Sequence, residues 1–397
     1  MFVAVARLVD PEGAGRARLL VVGGAAKSRG VVCSASYEAR SFGARSGMPI
    51  VTAARLCPSA TFVPVPRQAC GQKSQELRRL LDRWSPRVEA ASIDEFYLDL
   101  TGTEALYHHE PLDQTARRIR DDIKARSGLT LSLGGGTNRL IAKLAAERAK
   151  PRPGTGGNGV FVVPPGQEAE FVATHQLGDL PGVGPKLQAK LRSLGLISVR
   201  DALPIAEPAF QSWLGTRTGS WLYQRIRGIA GTAVEPTGDA KSISREETFA
   251  ADIADPDRLD RELVRLTTRV AADLRRSGLR ARGVAVKLRD DDFVTRHASR
   301  ILPAACESDR LFLAATRELL TRLRERRRRP TRLLGVALSR FERALDGDQM
   351  SLADGSGEAG KESARDRQLA RTIDRVNQRF GKPLLSPARL AARLDRG

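Results

Sequence analysis

Between Pro164 and Val234 the chain shows no strand-like alternation, only short helical stretches broken by Gly and Pro, among them LPGVGPKLQAKLRSLGL at 180–196. That strand-free interval separates two segments in which helices and strands interleave, so the chain cannot build one continuous sheet around one core. Its length of 397 residues agrees, because single hydrophobic cores stop growing well below that size; two to four domains follow. No repeat of 20 to 50 residues is visible, which excludes a solenoid.

Ahead of the divide, residues 1–66 read as a small α/β piece. It has a strand at Leu19–Val22, a Gly-rich turn, a strand over Val31–Ser34, and helices from Ala39 and near Ala53. Residues 67–163 read as helix (Gln72–Trp84), strand pair (Arg87–Thr101), helix (Asp113–Ser127), strand (Leu129–Leu133), helix (Asn138–Lys150) and strand (Gly159–Val163), a sheet with helices packed on it. Past the helical module of 164–234, the polar, Gly- and Pro-containing stretch GTAVEPTGDAK at 231–241 supplies a linker, placed at 235–241. Residues 242–345 then run strand-helix-strand twice, which makes a four-stranded sheet with two helices on one face. Residues 346–397 open with DGDQMSLADGSGEAGKES and read as a flexible tail, in which Leu369, Ile373, Val376 and Phe380 mark one face of a short amphipathic helix.

Sixty-six Lys and Arg against 46 Asp and Glu give a net charge of +20, so a polyanion is the expected partner. Residues 242–343 hold 24 basic against 16 acidic residues, which makes their sheet the preferred platform. No apolar run approaches the roughly 20 residues of a membrane span and no secretory leader is visible, so a soluble cytoplasmic protein without a membrane partner is expected. The four cysteines form no CxxC pair, and with four histidines no structural zinc site is expected; reduced thiols are expected.

Three strings carry chemistry. In ASIDEFYLDLT at 91–101 two adjacent acids, Asp94 and Glu95, enter an apolar strand. Neighbouring strand residues point to opposite faces, so the two carboxylates share one cation only if the chain turns between them. Such hard oxygen donors suit magnesium in phosphoryl transfer; alone, the pair is as readily a solvated turn. SASYEARSFGARSGMP at 34–49 sets Tyr37, Arg40 and Arg45 near the Ser34 hydroxyl, donors that a triphosphate requires or merely an ordinary helix start. GGGTNRLIAKLAAERAKP at 134–151 feeds a glycine turn into a helix that places Lys143 and Lys150 seven apart on one face. In LPGVG, Gly182 and Gly184 allow backbone N–H groups close to a phosphate, with Lys186 and Lys190 just beyond.

In this order and spacing the strings resemble the Y-family DNA polymerases, in particular the DinB-like or DNA polymerase IV branch, over residues 1 to about 343. The resemblance implies an α+β multidomain right hand: fingers (1–66, with a shortened start of the palm), palm (67–163), helical thumb with a helix-hairpin-helix turn (164–234), linker (235–241) and an α/β little finger (242–345). KSISREETF at 241–249 and TRLLGVALSRF at 331–341 fit the ends of that last domain. It further implies that Asp94 and Glu95 hold metal and are catalytic, that Tyr37, Arg40, Lys150 and Ser34 bind the incoming nucleotide, and that Phe2 is the aromatic wall beneath its sugar. Gly182, Gly184, Lys186 and Lys190 become DNA contacts. The implied reaction is lesion-bypass synthesis with two Mg2+ ions, joining deoxynucleoside triphosphates to a primer-template, by a monomer. Gln349 to Leu352 falls where the family carries a sliding-clamp peptide; the terminal aromatic is missing, so weak clamp binding at most is implied.

One departure stands out. The family opens with a strand bearing Asp-x-Asp ahead of two aromatics, whereas MFVAVARLVDP begins at those aromatics, with Met1 and Phe2 in their place and Ala6 where a Glu is usual. Two explanations compete: a start codon upstream of Met1, which the intact downstream motifs favour, or a shortened chain acting as a catalytically impaired accessory in a lesion-bypass assembly. A helix-hairpin-helix nuclease or glycosylase leaves the first 165 residues without a role.

Overall fold

The computed structural model describes residues 1–151, 157–235, 238, 240–343 and 362–380. The chain divides into two compact units. The first comprises Met1–Gly24, Val32–Gly47 and Leu56–Gly238; the second comprises Ala25–Val31, Met48–Arg55 and the chain from Asp239 onward.

The first unit begins with helix α1 (Phe2–Val9), which buries Val5 and Ala6. A three-stranded sheet follows, built from β1 (Leu20–Val22), β2 (Ser34–Ala35) and, beyond α2 (Tyr37–Ser41) and α3 (Ile50–Leu56), the latter falling almost wholly in the second unit, β3 (Thr61–Val63). All of β1 is buried, paired antiparallel to β2 and parallel to β3, because three consecutive apolar residues suit a central strand. The strand expected over Val31–Ser34 shrinks to Ser34–Ala35 plus an isolated bridge between Val31 and Pro49. Helix α4 (Arg67–Leu81) leads to the hairpin β4 (Arg87–Ala90) and β5 (Phe96–Asp99); α5 (Leu112–Ser127) ends on Gly128 at φ 71°, a left-handed stop. Then come β6 (Leu133–Gly135), α6 (Arg139–Ala149) and β7 (Val160–Val162).

Two expectations need correction here. The strand anticipated at Leu129–Leu133 begins only at Leu133, where it pairs with Val160. The single sheet anticipated over 67–163 is two separate two-stranded ribbons, β4–β5 antiparallel and β6–β7 parallel. Strands of three or four residues offer few ladder bonds, and nothing among the described residues hydrogen-bonds across between β5 and β6.

Short helices complete the unit: α7 (Glu168–Ala173), α8 (Pro185–Ser193), α9 (Val199–Ala202), α10 (Glu207–Leu214) and α11 (Thr216–Arg225). They share a core centred on Phe210, Leu191, Leu222 and Ile226, which bears out the strand-free reading of this stretch.

In the second unit β8 (Ser242–Ile253), α12 (Pro256–Arg276), β9 (Leu279–Asp290), β10 (Thr295–Cys306), α13 (Asp309–Arg326) and β11 (Thr331–Arg343) follow one another. The antiparallel sheet has the order β10-β9-β11-β8. Asp255 caps α12 through the N–H groups of Asp257 and Arg258, and Pro256 at the first helical position needs no donor. Leu259, Leu263, Leu266, Val270 and Leu274 then recur at helical spacing and bury against Val284, Val286 and Leu288 of β9 and Leu334, Val336 and Leu338 of β11.

Helix α14 (Ala364–Phe380) packs on α13, and of the expected apolar stripe Ile373 and Val376 are half-buried while its two ends are not. Ala370 is its buried residue, while Leu369 and Phe380 stand 58% and 57% exposed. Carboxylates do the docking: Asp374 and Asp309 both bond Arg275, which is 5% exposed, and Asp366 bonds Arg310. The four cysteines are unpaired. Among the described residues no helix is long and apolar enough to cross a membrane.

Candidate active site

Residues 91–95 connect β4 to β5, and this turn delivers the acidic pair. The N–H groups of Ala91 and Ser92 both donate to the Glu95 carbonyl, at 3.0 and 3.2 Å, which closes the turn. The Ser92 hydroxyl donates to Asp94 Oδ1 at 3.0 Å and accepts from the Asp94 N–H at 3.3 Å. The chain therefore bends where convergence of the carboxylates requires it, and both side chains line one cleft in the first unit. Each carboxylate faces a cation. The Met1 ammonium lies 3.9 Å from Asp94 Oδ2, and Lys143 Nζ lies 2.7 Å from Glu95 Oε2.

The same cleft is lined by the other expected residues: Phe2 on α1, Ser34 on β2, Tyr37 and Arg40 on α2, Arg45 beyond it, and Lys150 after α6. Ser36 caps α2 by accepting from the Ala39 N–H, which fixes the direction in which Tyr37 and Arg40 leave the helix. Tyr37 is 61% exposed, with the Arg40 guanidinium 6.0 Å from its ring centre. Arg40 Nε donates to the Ala35 carbonyl at 3.0 Å, which fixes the guanidinium at the cleft's lining. Phe2 packs by one side against the small core of Ala6, Leu20 and Val22.

Lys150 departs from the helical face predicted for it. Asn138 caps α6 by accepting from Leu140 and Ile141, and the helix ends at Ala149, so Lys150 is an extended C-cap residue beside Glu147 rather than a partner of Lys143 one face along. Lys143 instead turns to the acidic pair. Sequence reading also passed over Arg139, Glu89 and Tyr97. Arg139 Nη2 reaches Glu89 Oε1 at 2.7 Å and its guanidinium stands 4.4 Å from the Tyr97 ring centre. The four-residue interval from Arg139 to Lys143 on a helix facing the strand pair was the available signal.

As for a metal, Asp94 and Glu95 offer the hard oxygen donors a divalent cation takes, on one turn and open to solvent, so the donor chemistry fits. Among the described residues no third Asp, Glu, His or Cys joins them in a metal-binding cluster.

At the helix-hairpin-helix turn the two glycines differ. Gly182 has φ +100°, and a Cβ there would come within 2.6 Å of Trp221, so glycine is required by both backbone and packing. Gly184 has an ordinary φ and open space around it as the N-cap of α8. Lys186 is exposed, whereas Lys190 donates to the Trp213 carbonyl.

With this geometry the comparisons converge. The impB/mucB/samB family model matches residues 1–147 and its C-terminal domain matches 240–352; a thumb-domain model described from DNA polymerase-iota matches 178–230. A DNA polymerase IV of Dehalococcoides mccartyi is 35% identical over 383 residues, spanning 96% of this chain and 92% of the relative. One from Desulfatibacillum aliphaticivorans is 35% identical over 389 residues, spanning 98% and 94%. The chain belongs to the Y-family DNA polymerases, in the DNA polymerase IV branch. A solved Y-family chimera of Dbh and Dpo4 superposes with a TM-score of 0.75 at 25% identity, covering 85% of this chain and 96% of that one. An insertion ternary complex of Dbh polymerase gives 0.59 at the same identity. The right-hand polymerase fold with a helical thumb and a little finger stands on these matches together with the described elements.

Proposed function

We propose that the protein is a template-directed DNA polymerase of the lesion-bypass type. The observation that carries the reading is that the Asp94–Glu95 turn, Phe2, Tyr37, Arg40 and Lys150 line one cleft. Asp94 and Glu95 would hold divalent metal, two Mg2+ ions in the full site, whose charge steadies the triphosphate and the attacking primer oxygen. The chain's own groups do the rest. Arg40 and Lys150 neutralise the triphosphate, Tyr37 and Ser34 donate hydrogen bonds to it, and Phe2 closes the space a ribose 2′-OH would need. The Gly182 turn with Lys186, and the little-finger sheet, hold the primer-template by its phosphates. Cytoplasmic, nucleoid-associated work as a monomer accords with this reading. The clamp-like string from Gln349 to Leu352 lies outside the described residues.

A second reading, a polymerase-fold DNA-binding accessory with impaired chemistry, is favoured by one observation: two carboxylates stand where a bridged pair of ions calls for another. Primer extension by the chain and by Asp94→Asn and Glu95→Gln, with primer-template affinity measured alongside, separates the two. The polymerase reading expects extension by the parent chain and a loss of about 10²-fold or more in each variant, with affinity nearly intact. Binding without any extension by the parent chain would establish the accessory reading. Full extension by either variant would remove both acids from the reaction.

A further inference from the structure

Three consecutive residues at the start of α6 reach across to the helical thumb and its exit. Thr137 Oγ1 donates to Glu168 Oε1 at 2.7 Å, just where the thumb begins. Asn138, whose Oδ1 caps α6, donates from Nδ2 to the Gly228 carbonyl at 2.9 Å, just where it ends. Arg139 approaches the Ala233 carbonyl at 3.5 Å and ion-pairs with Glu89.

Glu89 uses both oxygens. Oε1 accepts from Arg139 at 2.7 Å and Oε2 accepts from the backbone N–H of Glu235 at 3.2 Å. The carboxylate is only 16% exposed, and Tyr97, its register partner on β5, lies beneath the same guanidinium. A charge-assisted bond to a shielded carboxylate is among the stronger polar contacts a surface can make. Next to it Val234 is 8% exposed. The chain leaving the thumb is therefore fastened to the β4–β5 ribbon through Glu235, the first residue of the stretch placed as linker.

We propose that Glu89 is a positioning residue: oriented by Arg139, it pins the Glu235 backbone to the β4–β5 ribbon and sets the point from which the little finger is tethered. Pinned at Glu235, the tether runs from 236 to 241; released, it runs from 231. At about 3.3–3.6 Å per extended residue, its reach grows from roughly 20 Å to nearly twice that. A longer tether dilutes the second DNA-holding unit around the first, by a factor of about 2.5 if effective concentration falls as the −3/2 power of length. Because Lys143, one turn along α6 from Arg139, bonds Glu95, the helix that orients the strap also touches the acidic turn.

The test begins without any variant. Amide hydrogen exchange on the full chain must show the Glu235 N–H protected relative to that of Thr232. In Glu89→Ala that protection falls by about tenfold or more, while Arg139→Lys, which keeps the ion pair, retains it. On the polymerase reading, primer-template Kd then rises about 2–3-fold in Glu89→Ala, with kcat at saturating DNA and nucleotide within twofold of the parent. An unprotected Glu235 N–H in the parent chain, or unchanged protection in folded Glu89→Ala, overturns the strap. A fall in kcat at constant Kd also overturns it, because Glu89 would then act on the chemistry. The exchange arm stands whether or not the polymerase reading does.

Discussion

The β4–β7 region of the palm and the little finger are written in the same alternation of strand and helix, yet they are built very differently. The little-finger strands run 12 or 13 residues in one sheet, and Val284, Val286 and Leu288 of β9 with Leu334, Val336 and Leu338 of β11 are at most 1% exposed. The palm strands run three or four residues in two unconnected ribbons, and Leu98, Leu131 and Leu133 are only half-buried, facing the cleft. Long strands satisfy their own backbone and enclose their own core, whereas short ones leave edges that need another partner. Of the two, the region that carries the candidate site is the one with the shorter strands.

The largest effect should come from filling the palm. On the polymerase reading, adding a family-like apolar strand with Asp-x-Asp ahead of Phe2 adds a carboxylate to the acidic turn's surroundings and offers the two ribbons a further strand to pair with. Primer extension should rise by about 10²-fold, and the first unit should unfold about 2–4 °C higher per kcal/mol gained. Equal extension and equal unfolding temperature would show that the ribbons need no such neighbour.

Next in size are paired truncations. Leu288→Ala, in the closed core of β9, should cost about 2–5 kcal/mol in denaturant unfolding. Leu98→Ala, whose side chain borders the cleft, should cost about 1 kcal/mol. Similar costs would erase the contrast between the two regions.

The smallest effect concerns α14. The Arg310 guanidinium holds the Asp366 carboxyl down to about 2, helped by the Ser363 hydroxyl. A carboxyl lowered on folding contributes stability that is fully present above its ordinary value near 4 and disappears as pH falls through about 2. Melting curves of the parent and Asp366→Asn should therefore differ at pH 5 and converge by pH 2. A constant gap would mean that the ion pair does not couple the tail helix to the little finger.

Much of this was legible in the sequence. Helical periodicity located α5, α12 and α13 to within a few residues, and the succession of strands and helices in the little finger followed from its alternation, whereas the order of its strands in the sheet did not. The acid pair, Tyr37, Arg40 and Lys150 were legible as types at a spacing. The palm sheet was misread because four-residue apolar runs fix a strand but say nothing of its neighbours. The apolar stripe of α14 marked its packed side only in part, at Ile373 and Val376, because the docking groups include carboxylates that pattern as solvent-facing.

By itself, then, the sequence determined which stretches are helix or strand, how the modules succeed one another, and which residue types stand at the cleft. These depend on interactions within a few residues of one another. Only the tertiary structure decided which charge meets which: Lys143 with Glu95 across 48 residues, Glu89 with the Glu235 backbone across 146, Arg275 with Asp374 across 99. With 66 basic and 46 acidic side chains the possible pairings are far too many for spacing to choose among. The path of the chain chooses, because a charge-assisted bond forms only where the backbone has already brought donor and acceptor within about 3 Å.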